Sequence, residues 1–344
     1  MDENKFIKFF LSERIIAKNE SRESCLILAL EHERVLNKSQ ILKKNFFLKS
    51  VFLLLVSCFI FNGCDVIVEI DDDNNRNGVQ LLETITDSDD SGGFVKFEYD
   101  KQNRIVKWYG YEGTTLESTT TFNYNNVGDL VSIVETSKNN PEEVMRLTYS
   151  KKGNIVTITS NESEVINEIT LNEQGLPVRM KTYEGEITQI PYITIFEYQN
   201  GKLSKTSREY SYYDGTTYSI SFTYTYNSQS GNLIKSSYNY VILKGNLVLS
   251  TTTLSSTYTY DNKKSPYYNS IYRSMPIWYN IEAYIFSHYY YSKNNLLSIS
   301  ESSGITQTYT YTYDDAGFPL TEKHTIVHGT ERHENNVSYT YIIK

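Results

Sequence analysis

Cysteine is nearly absent from this chain of 344 residues, and its scarcity limits the kinds of site that the chain can build. The three cysteines, Cys25, Cys58 and Cys64, all lie in the first part of the chain. The remainder therefore has neither a disulfide framework nor a thiolate metal site. An excess of positive charge is absent too, because the residues after Cys64 include 34 acidic and 23 basic side chains. Such a surface does not attract phosphate backbones, so we expect no nucleic-acid partner.

Sequence motifs for catalysis are also missing. There is no Gly-x-Ser-x-Gly nucleophile turn, no phosphate-binding loop and no His-Glu-x-x-His pair. Carboxylates are abundant, but most fall in polar turns, where Asp and Asn are expected for conformational reasons. We therefore expect a protein without enzymatic activity and without a cofactor. A hydrolase that uses two carboxylates stays open as a third choice, after the two binding and structural functions given below.

Only one long apolar run is present, Val51–Phe61, which follows a group of lysines and precedes Cys64. The run is too short to cross a bilayer, which takes about 20 residues. Basic residues, a short apolar run and a small residue before a cysteine resemble a bacterial lipoprotein signal, in which Cys64 becomes the acylated first residue. Cys58 is the alternative acylation site, although cleavage there would leave Phe59–Phe61 on the mature protein. We expect contact with the membrane through this lipid only.

The composition divides the chain into four segments. Residues 1–42 are predicted to be a mis-called N-terminal extension or a leader, and residues 43–64 the signal peptide. Residues 65–93 are rich in Asp and Asn and are predicted to be an acidic flexible linker. Acidic residues soon after an acylated cysteine resemble the surface-export signals of Bacteroidetes lipoproteins, which implies an outer-membrane protein at the cell surface of a Gram-negative bacterium. Residues 94–344 are predicted to form one repeat-built β domain.

Tyrosine is missing before Tyr99 and then becomes the dominant residue type, within a phrase that repeats. The phrase is an aromatic residue, any residue, a tyrosine, a polar turn and an aliphatic residue, as in Phe97–Ile105. Repeats of this kind define an architecture more directly than any single residue does. The second tyrosine of the phrase, or the residue that replaces it, occurs at Tyr99, Tyr124, Tyr149, Leu171, Tyr198, Tyr226, Tyr260, Tyr291, Tyr313 and Tyr341.

Each phrase predicts a β-hairpin. Aromatic and hydroxyl side chains alternate strictly over Ser221–Tyr226, and the polar turns supply residues that tolerate positive φ. The chain is thus predicted to be all-β, an antiparallel meander of about 16–20 strands, and an open sheet of that size curls or closes. We expect a strongly curved, barrel-like sheet. The non-aromatic face carries Thr, Ser, Lys and Glu, which favours a soluble barrel over a membrane-spanning one.

Three stretches of the β domain carry a family resemblance: Tyr258–Tyr268, Ser292–Asn295 and Tyr309–Asp314. Their phrases are similar, in weak form, to the tyrosine-aspartate repeats of large secreted shell-forming proteins. More closely, residues 94–344 resemble a family of Bacteroidetes secreted proteins known as a domain of unknown function with a porin-like fold. The resemblance implies a porin-like barrel and export from the cell, and it implies no catalytic residues.

One segment interrupts the strand pattern and is the preferred place for a ligand. Pro266–Trp278 contains two prolines and several aromatic residues without alternation. It is predicted to be a loop or a short helix that packs against the sheet and fills its interior. Tyrosines that leave the strand pattern are available to stack on a glycan or peptide, whereas most of the others are expected to form the core. The candidate binding residues are Tyr267, Tyr268, Tyr272, Trp278 and Tyr279.

A second, weaker candidate is a metal site in the last hairpin. A two-residue turn at Gly329 would place His328 opposite Glu331 and bring His333 to the same face. A solvated hairpin without metal explains the same residues, and we prefer that explanation.

Two functions from different classes therefore stay open. The first is a surface lipoprotein that binds a glycan or a partner outer-membrane protein. The second is a structural scaffold of the cell envelope without specificity for a small molecule.

Overall fold

A computed structural model gives the fold for residues 79–88, 92–161, 164–183, 191–212, 215–267, 285 and 288–344. Most of these residues lie in strands, and one 3-10 turn covers His288–Tyr291. The strands are β1 Gln80–Asp87, β2 Phe94–Tyr99, β3 Ile105–Glu112, β4 Thr115–Tyr124, β5 Leu130–Ser137, β6 Asn140–Lys152, β7 Ile155–Thr159, β8 Val165–Leu171, β9 Pro177–Thr182, β10 Tyr192–Gln199, β11 Lys202–Ser211, β12 Thr216–Tyr226, β13 Leu233–Lys244, β14 Leu247–Lys264, β15 Asn294–Glu301, β16 Ile305–Tyr313, β17 Pro319–His328 and β18 Glu331–Ile343.

The strands form one closed antiparallel barrel. All 18 belong to a single sheet, in which each strand pairs with the next one along the chain. The first and last strands also pair, from Gln80 opposite Ile343 to Asp87 opposite Val337, and this pairing closes the sheet. The predicted all-β meander and its barrel-like curvature are confirmed. Among the described residues, no helix is long and apolar enough to cross a membrane.

The two ends of the barrel differ. The turns of the tyrosine phrases, such as those at Asp100 and Asn227, lie together at one end, which we call the turn end. Val79 and Lys344 are there too, joined by two main-chain hydrogen bonds of 2.8 and 3.0 Å. The other end, the loop end, carries the remaining hairpin connections, including the β13–β14 and β17–β18 turns.

Capped turns and tyrosine hydroxyls explain why the phrase folds as it does. The side chain of Asp100 accepts hydrogen bonds from the main-chain N–H groups of Gln102 and Arg104, each at 2.9 Å, which fixes the turn. The tyrosine hydroxyl then donates to a carbonyl of the preceding repeat, as Tyr124 does to Ile105 at 2.9 Å. The same bond joins Tyr99 to Leu82, Tyr198 to Pro177, Tyr226 to Leu203 and Tyr341 to Pro319.

Cations complete this network between neighbouring turns. The Arg104 guanidinium lies 4.3 Å from the centre of the Tyr124 ring, and the Lys202 ammonium donates to the carbonyl of Gly231 at 2.8 Å. Lys344 donates to the carbonyl of Tyr99 at 2.7 Å and thereby connects the last repeat to the first. The turn end is therefore a ring of linked hairpins.

The inner face of the barrel is apolar and the outer face is polar. In β12, Tyr218 and Tyr224 are buried, while Thr223 and Thr225 between and beyond them are exposed. In a single closed sheet a side chain is buried by pointing inward, so the buried set defines the interior. One cluster of buried side chains draws on most of the strands and includes Leu81, Ile169 and Tyr339. The core therefore lies inside the barrel.

The predicted boundary of the β domain is wrong. Gln80–Asp87 lies within the stretch assigned above to the linker, yet it forms β1 and closes the barrel. The stretch has no tyrosine, and its pairing with β18 contains a β-bulge after Leu82. Leu81 and Leu82 are adjacent and both buried in the main cluster, so the stretch lacks the simple alternation of the other strands. The segments 1–42 and 43–64 and most of the linker lie outside the described residues.

The connection between β14 and β15 enters the core at the one place where the structure describes its middle. Ile285 is 3% exposed and belongs to the main interior cluster. Its carbonyl accepts a hydrogen bond of 2.7 Å from the hydroxyl of Tyr224 on β12. The connection thus contributes the side chain of Ile285, which follows the segment Pro266–Trp278, to the interior of the barrel.

Candidate binding site at the loop end

Tyrosines from β10 to β13 form a continuous cluster on the inner face, close to the loop end. Tyr210 and Tyr218 face each other across β11 and β12, with ring centres 5.1 Å apart and planes 6° from parallel. Tyr192 lies 6.1 Å from Tyr210, and Tyr240 lies 5.9 Å from Tyr218. We call these four residues and Tyr212, whose ring is 5.2 Å from Tyr218, the tyrosine cluster. It forms because tyrosines occupy inward positions on adjacent strands.

The hydroxyl groups of the cluster come close together. Burial raises the pKa of Tyr240, and the hydroxyls of Tyr210, Tyr218 and Tyr238 add to the rise. Burial also raises the pKa of Tyr210, again with a contribution from its tyrosine neighbours. These groups are therefore neutral at physiological pH and act as hydrogen-bond donors and acceptors. The hydroxyl of Tyr240 is buried and has no hydrogen-bond partner among the described residues.

The surroundings of the cluster are polar and more open than the core. Arg208 also points inward, 4.7 Å above the Tyr192 ring, and donates from Nε to Thr194 at 2.9 Å. On β14, Thr252 lies opposite Tyr240 and is half-buried, and Ser250 is exposed although it points to the inner face. The loop end of the interior thus combines aromatic rings, hydroxyls and one guanidinium.

A different part of the inner wall, on β15 to β18, carries ionisable groups. His324 is 5% exposed, stacks on Tyr309 at 4.2 Å and shares a 3.0 Å hydrogen bond with Gln307. Burial lowers the pKa of His324 to about 4, so the ring is neutral at physiological pH. Burial raises the pKa of Glu301, while the Ser303 hydroxyl and the nearby His328 act against the rise.

Glu135 is half-buried, and it lies opposite the buried Thr120 on the inner face of the barrel. Burial raises its pKa to about 8, and a weak hydrogen bond of 3.5 Å from the Thr120 hydroxyl opposes the rise. Among the described residues, no charged group adds to the rise in the pKa of Glu135. Its protonated form is a hydrogen-bond donor in an apolar setting.

The structure describes only one of the aromatic residues that the sequence analysis selected. Tyr267 is half-buried and packs against the main core, with its ring edge-on to Tyr339 and a 3.4 Å contact between the two hydroxyls. The other four, Tyr268, Tyr272, Trp278 and Tyr279, lie outside the described residues, as do the acylation candidates Cys58 and Cys64.

The last hairpin has the predicted register. His328 lies opposite Glu331, and His333 lies opposite Ile326. Glu331 and His333 are both exposed. Within the part of the chain that the structure describes, no group of three or more His, Cys, Asp or Glu side chains is arranged to hold a metal ion.

Sequence reasoning did not select the tyrosine cluster, although a signal was present. Tyr210 and Tyr212, and likewise Tyr238 and Tyr240, are alternate residues that belong to no phrase. The first pair lies where β11 ends at the loop end, and the second pair lies in the middle of β13. An aromatic pair that belongs to no phrase is therefore a signal for the part of the interior towards the loop end, whereas the aromatic residues of the phrase lie towards the turn end.

No protein-family model and no curated protein matches this chain. Among solved structures, it is similar to a porin-like protein from Bacteroides uniformis, with 15% identity, a TM-score of 0.42 and coverage of 77% of this chain and 98% of that one. A porin-like protein from Bacteroides vulgatus has 14% identity, a TM-score of 0.40 and coverage of 76% and 99%. The Tc holotoxin pore of Photorhabdus luminescens has 10% identity, a TM-score of 0.19 and coverage of 71% and 15%. The pairing of the 18 strands defines the architecture independently of these similarities.

Proposed function

We propose that the chain is a lipid-anchored outer-membrane protein, displayed at the cell surface, whose barrel binds a glycan without enzymatic activity. The observation that carries the proposal is the tyrosine cluster at the loop end. Ligand sites are commonly found in the mouths of β-barrels, lined by aromatic side chains with a few placed polar groups. Here the polar groups are the tyrosine hydroxyls and Arg208.

A glycan suits this surface because it is amphipathic in the same way. Sugar rings offer C–H faces that pack on aromatic rings and hydroxyls that exchange hydrogen bonds with phenols. The Tyr240 hydroxyl is buried without a partner among the described residues and is available for such a bond. A buried polar group that stays unpaired is costly, so a ligand or a water molecule that pairs with it is favoured.

The distribution of polarity over the barrel supports a water-exposed wall. A membrane-spanning barrel presents apolar side chains outward and commonly has a polar lumen. In this barrel the arrangement is reversed, since the core lies inside and Lys–Glu pairs such as Lys205–Glu197 and Lys323–Glu334 lie outside. We therefore assign the membrane contact to the acyl chain on Cys64 rather than to the strands.

A glycan array probed with the full-length protein tests the binding function. The informative variant is Tyr240→Phe, which removes one hydroxyl and leaves the ring, and the control is Tyr109→Phe on the outer face of β3. If a glycan hydrogen-bonds to Tyr240, the variant should bind about 5-fold more weakly, the equivalent of about 1 kcal/mol. Equal binding by Tyr240→Phe and Tyr109→Phe would show that the tyrosine cluster is not part of the binding site.

The anchor is tested separately by metabolic labelling with a fatty-acid analogue. Cys64→Ala should abolish the label and release the protein from the membrane fraction, whereas Cys58→Ala should keep both. If Cys58→Ala loses the label and Cys64→Ala keeps it, Cys58 is the acylated residue. If the label appears on neither cysteine, the protein has no lipid anchor.

The alternative function is a scaffold of the cell envelope, with a partner outer-membrane protein instead of a glycan. The hydrogen bonds at the turn end favour the scaffold function, because tyrosine hydroxyls there bind main-chain carbonyls and hold the barrel together. If the array shows no glycan binding while Cys64 still carries the label, the result would support this alternative.

A further inference from the structure

The strand β14 extends well beyond its neighbour on one side. Its 18 residues run from Leu247 to Lys264. β13 pairs with it from Leu247 to Thr257, but β15 pairs with it only from Ser256 onward. Between Leu247 and Leu254, no strand among the described residues lies on the β15 side. The barrel thus has a stretch of open strand edge near its loop end.

The main-chain groups on that edge can be identified from the contacts at Ser255. Its carbonyl accepts from the N–H of Ser302 at 2.8 Å, and its own N–H donates to the Ser302 hydroxyl at 2.9 Å. The main chain of Ser255 therefore points away from β13. Pairing with β13 is regular from Thr257 back to Ser250, so the direction alternates and Thr253 and Thr251 point the same way. Their N–H and C=O groups face the open side.

This edge lacks the usual protection against pairing. Natural sheets guard an exposed edge with lysine, proline, inward-pointing charge or a covering segment. From Leu247 to Tyr260 there is no charged residue and no proline. Leu247, Val248 and Leu249 are 64%, 54% and 52% exposed. An apolar, uncharged edge with unpaired main-chain groups favours the addition of another strand.

We propose that the edge Leu247–Leu254 pairs with the same edge of a second copy of this chain, antiparallel, to form a two-fold symmetric dimer. Two other described strands also extend past a neighbour, β6 over Asn140–Leu147 and β18 over Glu331–Asn335. Both of those edges carry charged side chains, and the edge of β6 also contains Pro141, so Leu247–Leu254 is the edge without such protection among the three. Pairing of identical edges is isologous and ends at two copies, because it consumes the edge of each.

The side chains of the edge fit this occupant. An antiparallel pairing brings the apolar end of one copy, Leu247–Leu249, towards Leu254 of the other and the threonines of both to the centre. Each chain has a net charge of −8, so two copies repel at long range. A neutral edge lets them meet where that repulsion is weakest. The inference is independent of the glycan site.

Sedimentation velocity of the full-length protein, repeated over a wide concentration range, tests the proposal. The variants are Thr251→Pro, which removes an N–H on the open side without loss of a bond to β13, and Thr251→Lys, which adds charge to the edge. The control is Ser221→Lys on the outer face of β12, a strand that is paired on both sides. We expect a dimer for the wild type and the control and a monomer for both Thr251 variants.

Hydrogen exchange locates the interface and covers the case in which the proline variant does not fold. The amides of Thr251 and Thr253 should be protected in the dimer and should exchange rapidly after dilution to the monomer or in Thr251→Lys. A wild type that is monomeric at every concentration would overturn the proposal. So would a dimer that persists in Thr251→Lys with these two amides exchanging rapidly, because its interface would lie elsewhere.

Discussion

Replacement of Gly231 by alanine should destabilise the barrel more than the same change at Gly201, although both glycines sit in turn-end hairpins. Their φ angles are nearly equal, +76° and +73°, so the backbone strain imposed by a Cβ atom is matched. That strain costs about 1–2 kcal/mol at each site. The difference lies in the space around them. A Cβ atom on Gly231 would come within 2.6 Å of Nζ of Lys202, whereas one on Gly201 meets nothing within 4 Å.

The additional loss in the free energy of unfolding at Gly231 comes from the displacement of the Lys202 side chain. This ammonium donates to the Gly231 carbonyl at 2.8 Å and lies 5.1 Å from the centre of the Tyr226 ring. The lysine can swing away, so no severe clash remains, but both contacts are lost. A hydrogen bond from a charged group and a half-exposed cation–π contact together contribute about 1–2 kcal/mol.

Equilibrium urea unfolding, followed by tyrosine fluorescence, measures both costs. Gly231→Ala should exceed Gly201→Ala by about 1–2 kcal/mol in the free energy of unfolding. In a Lys202→Met background the excess should vanish, because the contacts are already absent. Equal costs in the wild-type background, or an excess that survives in Lys202→Met, would show that Lys202 does not link the two turns.

Three other predictions concern single contacts and protonation. Tyr124→Phe removes the hydroxyl that donates to Ile105 at 2.9 Å, and urea unfolding should show a loss of about 1 kcal/mol. The folded pKa of Glu135, about 8, lies above the unfolded value, so the contribution of Glu135 to the free energy of unfolding is present at low pH and declines as pH rises towards 8. Glu135→Gln should therefore stabilise the fold at pH 7 by about 3 kcal/mol. If the variant gains no stability, the carboxyl of Glu135 is not desolvated as described. The folded pKa of His324, about 4, lies below the unfolded value, so the free energy of unfolding should decline as pH falls from about 6.5 to 4. His324→Gln should flatten that decline. An unchanged pH profile would contradict the assignment of His324 as a buried, neutral side chain.

The hairpins could be predicted because their signals are local. Alternation over Ser221–Tyr226 and the polar turn that follows are contained in a few residues, and β12 and its turn to β13 form there. Leu171, which replaces a tyrosine, still packs in the core at 3% exposure, because the apolar body of the side chain is what the core requires at that position.

The features that the sequence did not reveal depend on distant residues. β1 lacks the phrase, and most of its pairing is with β18, at the far end of the chain, besides three residue pairs with β2. The tyrosine cluster depends on the relative register of four strands, which places Tyr210 beside Tyr218 and Tyr240 close to both. Local patterns define a strand and its two faces, but they do not say which residues of neighbouring strands lie side by side.

The seam between β1 and β18 has a consequence for the order in which the chain can fold. Gln80 pairs with Ile343, so the sheet stays open until the last strand is available. Every intermediate that lacks this seam also exposes the unpaired edges of β1 and β18, which the complete barrel covers. Contacts this far apart in the chain make folding slow, and unpaired edges in slow intermediates promote aggregation. Refolding of the barrel should therefore need assistance or dilution, even though each of its hairpins is a local and simple structure.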